Sequence, residues 1–379
     1  MAKRSAHYEY DPEKRRLAKI YSRQKLIMSI GNSIVIPLTA IAVLFLTGVF
    51  ERLAEYSLNA GGSILGIILF VFFVSAIFLI FEFPLKLYGG YFYEHKYKLS
   101  NHTLPAWFND FFKETLLELV FAVPIGAITA FLLVNFRYWW LYTSIVGIFF
   151  SLFINFIYPV VFLPFLYKLK PYKDRSELKN IIDILKRVGV TNIKKIKVLI
   201  ESEKSKKVDA MFAGMGKTKS IILYDNLLDK FTKKEVRTVI AHELGHYVHK
   251  DIIKFEIFGA AQSVLLLYLT NLIIRNNFTA DEFIPLHIYP VVSGILIVLG
   301  FLAMPLMMAY SRKQEAAADK FALDYIKDSS SQISTEKKLC DIDLADDKPN
   351  AFIEFWFHGH PCAEKRIKMA EQWAAENNG

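Results

Sequence analysis

Six uncharged apolar runs, at 26–50, 57–81, 119–136, 138–167, 257–274 and 283–311, decide what this chain can fold into. A helix rises about 1.5 Å per residue, so each run is long enough to cross the roughly 30 Å hydrocarbon core of a bilayer. One such run could be a buried helix of a large soluble protein; six could not, because a chain of 379 residues has too little interior to cover them. The excess shows in the composition, with 53% hydrophobic residues, 32 Phe and a mean hydropathy of +0.28. Hydrocarbon offers no water to satisfy a backbone, so the spans are expected as helices. The first run is too long for a signal-peptide core, and no small-residue cleavage site follows it closely. It reads as an anchor that stays.

Charge sets an expected orientation. Of the 46 Lys and Arg residues, 43 fall in segments 1–25, 82–118, 168–256 and the tail from Arg312. The three alternate connections carry one each: Arg52, Arg137 and Arg275. The basic segments alternate correctly with six spans, which predicts that both termini and the polar blocks face the cytoplasm. The formal charge of +9 follows from that topology and from attraction to an anionic inner leaflet, making membrane lipid a partner. No motif supports a nucleic-acid partner. Two cysteines, Cys340 and Cys362, predict a reduced compartment and no structural disulfide. The source membrane is read as a bacterial cell membrane or the endoplasmic reticulum. The expected organisation is a four-span membrane region (1–168), a first cytoplasmic half (169–256), a two-span hairpin (257–311) and a second cytoplasmic half (312–379).

The chemistry centres on His242-Glu243-Leu244-Gly245-His246. Two histidines four apart on a helix lie on one face and can reach one metal ion; a glutamate beside the first can take a proton from a bound water. Thr232 and Glu235 have capping-box spacing, and Val236, Ile240 and Leu244 give the helix an apolar stripe. This helix is expected to run directly into the fifth span. A catalytic zinc wants three protein ligands and an open position. Candidates for the third are His249, Glu315, His358 and His360. His249 shares the rigid helix and cannot complete a tetrahedron, whereas Glu315 opens a helix just after the last span. Asp319, one turn on, could accept a hydrogen bond from a ligand histidine.

The remaining segments are scaffold readings. A basic, partly helical juxtamembrane segment is expected at 1–25, a helix at 178–188 stopping at Gly189, and a strand at 197–201. Strands at 210–213 and 221–224 flank a turn at 214–219, an edge on which an extended peptide could pair. His95 and His102, with a loop between them, read as solvated or structural. Segment 325–350 is polar and is expected as a surface excursion. An amphipathic end at 352–375 carries His358, His360 and Arg366.

The motif at 242–246, the 311–322 segment with Glu315 and Asp319, and the late His360-Pro361 followed by Arg366-Ile367 resemble the zinc-dependent type I CAAX prenyl endopeptidases. The loop 94–103, the hairpin 209–228 and Trp356 are similar to that family too, so the resemblance runs from about residue 80 to 370. It implies a mainly α, polytopic membrane fold whose spans enclose a chamber, capped by a cytoplasmic gluzincin-like zinc protease domain with a small hairpin or sheet. It implies one zinc ion per chain, held by His242, His246 and Glu315. Glu243 would be the base, Asp319 a hydrogen-bond partner of a ligand, and His360 and Arg366 neighbours of the oxyanion. Asp209, Ala210, Met211 and Phe212 would form the substrate-binding strand. The substrate would be a peptide or protein, lipidated at a C-a-a-X end. The chain departs from the family in having six clear spans where seven are usual, in Asp209 where Asn is common, and in Cys362 where Pro or Ser is usual. Two other readings compete: a membrane quality-control zinc protease similar to bacterial heat-shock membrane proteases, and a six-span transporter or receptor with a structural zinc domain. The first family is smaller with fewer spans, and the second leaves Glu243 without a purpose.

Overall fold

The computed structural model describes residues 8–188, 196–214, 218–278 and 283–377. Among these, six helices are long and apolar enough to cross a membrane: Pro12–Leu46, Val49–Lys96, Leu104–Asn135, Trp139–Leu166, Asp251–Asn277 and Leu286–Ile326. Their outward faces expose large apolar side chains, among them Leu46, Ile80, Phe149, Ile257 and Leu306. Water would not tolerate so much of this surface; lipid does. Asp11 caps the first helix by accepting from the backbone of Glu13 and Lys14, with Pro12 at the first helical position.

The second apolar run does not start a span at residue 57. Gly62 sits at φ 67° and ψ −157°, a conformation open essentially to glycine alone, and it divides Val49–Leu87 into a short helix and the span proper. The chain doubles back tightly there: a Cβ on Gly66 would lie 2.8 Å from the backbone of Ser57 and Leu58. Ser57 is fully buried as a result. Phe50, Phe70, Leu133, Trp139 and Ile274 pack together at this end. Here Trp139 and Arg275 both donate to Asn271 Oδ1 (2.9 and 3.1 Å), and Arg275 also donates to the carbonyl of Arg137.

The polar blocks 169–256 and 312–377 pack against one another. Strands β1 (Leu169–Pro171), β2 (Ile196–Leu199), β3 (Ala210–Ala213) and β4 (Ser220–Tyr224) form one sheet in the order β1-β2-β4-β3. The β2–β4 pair is parallel and the outer pairs are antiparallel, so β3 is an edge strand, as the hairpin reading expects. Helix Arg175–Arg187 lays Ile181 and Leu185 on Ile221, Leu223, Val236 and Ile240. Gly189 and the middle of the 214–219 turn lie outside the described residues.

Two further expectations are corrected. The histidine helix ends at Val248, and Lys250 adopts the left-handed conformation (φ 59°) before Asp251–Asn277 begins, so no continuous helix enters the fifth span. Segment 325–350 is not a surface excursion. Its helix Ser329–Asp343 buries Gln332, Thr335, Glu336 and Asp341; Glu336 pairs with Arg366 and Asp341 with the N-terminal segment, so its polar composition looks surface-like. The N-terminal segment is helical from Pro12, as expected, and it docks on that helix. Tyr8, the Asp11 backbone and Arg15 all donate to the Asp341 carboxylate, at 2.8, 2.9 and 2.6 Å.

Candidate metal centre

The histidine helix Lys233–Val248 opens with the expected capping box: Thr232 Oγ1 accepts from Glu235 N, and Glu235 Oε2 accepts from Thr232 N at 2.7 Å. Ser334 and Lys338 donate to the same glutamate from the neighbouring helix, which fixes the start of the histidine helix. Val236, Ile240 and Leu244 bury its inner face. Its other contact is with the last long helix, Tyr289–Ile326, and the two backbones nearly touch. A Cβ on Gly245 would stand 2.9 Å from Ala318 Cα. This close crossing brings His242 and His246 against Glu315, so Gly245→Ala should loosen metal binding at least about tenfold by forcing the helices apart. Zinc titration of the purified variant measures it.

Ligand atoms of His242, His246 and Glu315 all lie within 4.8 Å of one another. Glu315 Oε2 is 3.2 Å from His242 Nε2, and its Oε1 is 3.4 Å from His246 Nε2. The outer ring nitrogens are taken: His242 Nδ1 lies 2.8 Å from Asp319 Oδ1, and His246 Nδ1 lies 2.9 Å from Asp251 Oδ2. A carboxylate only accepts, so both Nδ1 atoms carry the proton and neutral rings turn lone pairs inward from Nε2. Those two Nε2 atoms are 3.2 Å apart and face a carboxylate oxygen with no aligned donor. Lone pair against lone pair is repulsive; a cation between the three groups removes the conflict. The donor set therefore fits a metal.

Of the other candidate ligands, His249 caps the helix end, turns toward the Phe321 ring and is outside the cluster. His358 lies beside Glu354, and its backbone carbonyl accepts from Arg312. His360 reaches within 3.3 Å of Glu315 Oε2 but does not join the three-residue group. Its side chain is 63% exposed and lines a cavity beside the cluster. Desolvation lowers its imidazole pKa against the pull of the Glu315 carboxylate. Arg366 has different neighbours from those the resemblance implies: it donates from Nε and Nη2 to Asp319 (2.6 and 2.5 Å) and pairs through Nη1 with Glu336 at 2.8 Å. Its guanidinium holds the carboxylate that holds His242. Cys362 is buried, and its backbone N–H donates to Glu354. His95 and His102 are structural, tied to the carbonyls of Tyr91 and His102 and to Asp110.

Glu243 lines a cavity of about 380 Å³ whose wall is mostly apolar, with Phe212, Tyr247, Ile252, Ile253 and Phe255 among its residues and Lys219 and Lys250 beside them. Burial pushes its carboxyl up to about 7, against the pull of His242 and His246. A cation at the cluster would draw it back toward the ionised form that a base needs. The Phe212 N–H on the free edge of β3 donates to Glu243 Oε2 at 3.3 Å, so the edge strand runs beside the cluster. Ala210, Met211 and Phe212 lie on this strand, and Asp209 immediately precedes it.

Two groups were not foreseen from sequence. Asp251 is 2% exposed and bonds His246, and Glu336 is 5% exposed and bonds Arg366. Asp251→Asn and Asp319→Asn should each weaken metal binding roughly 10–100-fold, the usual effect of removing a ligand's hydrogen-bond partner. Metal titration with competing chelators reads both.

The model for peptidase family M48 matches residues 173–374. The chain belongs to that family. Residues 4–168 match the model described as CAAX prenyl protease N-terminal, five membrane helices, and four of the six candidate spans of this M48 chain fall there. Similar proteins include the uncharacterized metalloprotease YhfN of Bacillus subtilis, 26% identical over 315 residues covering 80% of this chain and 72% of the relative. Probable CAAX prenyl protease 1 of Schizosaccharomyces pombe is 27% identical, covering 82% and 66% respectively. CAAX prenyl protease 1 of Saccharomyces cerevisiae is 27% identical, covering 67% of this chain and 60% of the relative, so the chain spans about two thirds of such relatives. The crystal structure of S. mikatae Ste24p superposes with a TM-score of 0.79 at 23% identity, over 97% of this chain and 90% of that one, which shows the shared fold. This M48 chain is thus a multi-pass membrane metallopeptidase with a Ste24p-like fold.

Proposed function

We propose that this chain is a zinc endopeptidase acting at the cytoplasmic face on the C-terminal peptide of prenylated C-a-a-X substrates. The observation that carries the reading is the convergence of His242, His246 and Glu315 beside Glu243, at a cavity bordered by an edge strand. A bound zinc supplies Lewis-acid polarisation of the scissile carbonyl and acidifies water. The protein does the rest. Asp319 and Asp251 orient the ligand histidines. Arg366 and Glu336 fix Asp319. Glu243 takes a proton from the attacking water and returns it to the leaving amine. His360, 3.3 Å from Glu315, is the side chain that would donate to the oxyanion. The free edge of β3 pairs with the extended peptide, and the apolar cavity accepts one of its aliphatic residues.

The substrate class draws on the named activity of the yeast relatives. A prenyl chain contributes about 0.8 kcal/mol per buried CH₂ and would hold a C-terminal peptide at the membrane. One C-a-a-X peptide with and without a farnesyl group, in detergent and in liposomes, tests this. Release of the last three residues should be chelator-sensitive in all cases and faster with lipid in liposomes. Cleavage of unfolded membrane proteins with no turnover of either peptide would contradict the substrate class.

Orientation rests on the 43-to-3 split of basic residues. Because Ser57 is buried, exposed Asn277 is the better reporter for the outer side, and exposed Glu203 for the inner. A reagent that cannot cross the membrane should label Asn277→Cys on whole cells or sealed vesicles and leave Glu203→Cys untouched. The reverse pattern overturns the orientation.

A further inference from the structure

Each histidine of the cluster is held by a carboxylate, and each carboxylate has a cation of its own. On one side Arg366 donates to Asp319, which bonds His242. On the other side Asp251 bonds His246 through Oδ2 at 2.9 Å, and its second oxygen, Oδ1, accepts from Lys254 Nζ at 3.0 Å. The same ammonium donates to Gln314 Oε1 at 3.1 Å. Gln314 lies on the last long helix, one residue before Glu315. Lys254 therefore reaches from the partner of one ligand to the chain neighbour of another.

An exposed ion pair three residues apart on a helix contributes little. This one differs in what the ammonium meets. Asp251 is 2% exposed and Gln314 7%, so the lysine supplies donors to two buried acceptors on different helices. A buried carboxylate that loses one of its two donors is left partly unsatisfied and free to turn about its last torsion. The backbone beside it also needs holding. Lys250 has a left-handed conformation (φ 59°), uncommon for a residue with a Cβ, and such a conformation persists only where its surroundings fix it. The Ile253 and Lys254 N–H groups both donate to the Lys250 carbonyl, at 3.0 and 3.2 Å, and the Lys254 side chain then fastens this turn to the helix opposite.

We infer that Lys254 is a positioning residue of the metal centre. It fixes the rotation of Asp251, and with it the Nδ1–H hydrogen bond that aims His246 Nε2 into the cluster, and it ties that bond to the helix carrying Glu315. Lys254 does not line the cavity beside Glu243, so it acts through Asp251 and not on the substrate. The inference rests on the metal-centre reading above. It gives His246 the same kind of support, carboxylate and then cation, that Asp319 and Arg366 give His242.

The test uses the full chain in detergent, with three readouts: zinc affinity by chelator competition, the visible absorption of the cobalt(II)-substituted protein, and the thermal midpoint of the metal-free protein. Lys254→Met should weaken zinc binding about tenfold, the lower end of the effect of disturbing a ligand's hydrogen-bond partner. The cobalt absorption, which follows ligand geometry, should change with it, while Lys254→Arg should stay within about threefold of wild type in zinc affinity. A lysine that acts through Asp251 adds little once Asp251 is neutral, so Asp251→Asn/Lys254→Met should bind zinc within about twofold of Asp251→Asn alone. Lys254→Gln serves the same comparisons where Lys254→Met does not fold. Wild-type zinc affinity and an unchanged cobalt spectrum in Lys254→Met, equal losses in Lys254→Met and Lys254→Arg, or fully additive losses in the double variant overturn the inference and leave the metal centre standing. A wild-type chain that takes up neither zinc nor cobalt overturns both.

Discussion

Glu243→Gln is expected to keep about one zinc per chain and to lose peptide hydrolysis roughly 10²–10⁴-fold, the range that a positioned general base contributes. The glutamate is not one of the three converging groups, so the metal should survive its loss. The amide keeps nearly the same volume and can still accept from the Phe212 N–H, so the edge strand stays in place. What disappears is the ability to carry a proton from water to the leaving amine. Zinc content by elemental analysis and single-turnover cleavage on one preparation separate these effects. Loss of zinc in Glu243→Gln, or full activity with zinc retained, would contradict the role.

Glu315→Ala should fail differently. Its carboxylate lies against both Nε2 atoms, so removal leaves two neutral imidazoles as the only protein donors. Zinc affinity should drop by more than the roughly 10–100-fold of an outer partner, and activity should fall with it. Glu315 is also buried, 7% exposed, at a helix crossing, so the variant's helicity and thermal midpoint should be measured beside its metal content. Tight zinc binding by Glu315→Ala together with loss from His249→Ala or His360→Ala would show that another residue completes the site.

The sequence showed the spans because lipid imposes one simple rule on every one of them, and uncharged length is visible without a fold. The histidine helix was visible for a similar reason: its cap, its apolar stripe and its ligands all follow one period of 3.6. The break after Val248 was not. No Pro or Gly marks it, and Lys250 takes a left-handed conformation that its side chain does not advertise. That break hid Asp251, because on a continuous helix a residue five beyond His246 turns away from the ligand face. Only the interruption brings its carboxylate to His246 Nδ1. Helix Ser329–Asp343 was misread because its buried residues are Ser, Gln, Thr, Glu and Asp, chosen to satisfy Glu235, Arg366 and the N-terminal helix. Polarity usually signals surface; here it signals a network around the site. Glu336 was hidden with it, since its pairing with Arg366 on another helix depends on packing and not on spacing. The fold-back at Gly62 left a trace in Gly61-Gly62, which reads as tolerable in a span until its backbone is seen.

The most direct measurement is zinc content and endoproteolysis on the same purified wild-type chain, before chelation, after it, and after one equivalent of zinc is returned. About one zinc per chain is expected, with cleavage of a farnesylated C-a-a-X peptide lost on chelation and restored by that single equivalent. Full cleavage by the metal-free protein, or a tightly bound zinc in a chain that cuts no peptide or membrane protein, would contradict the account.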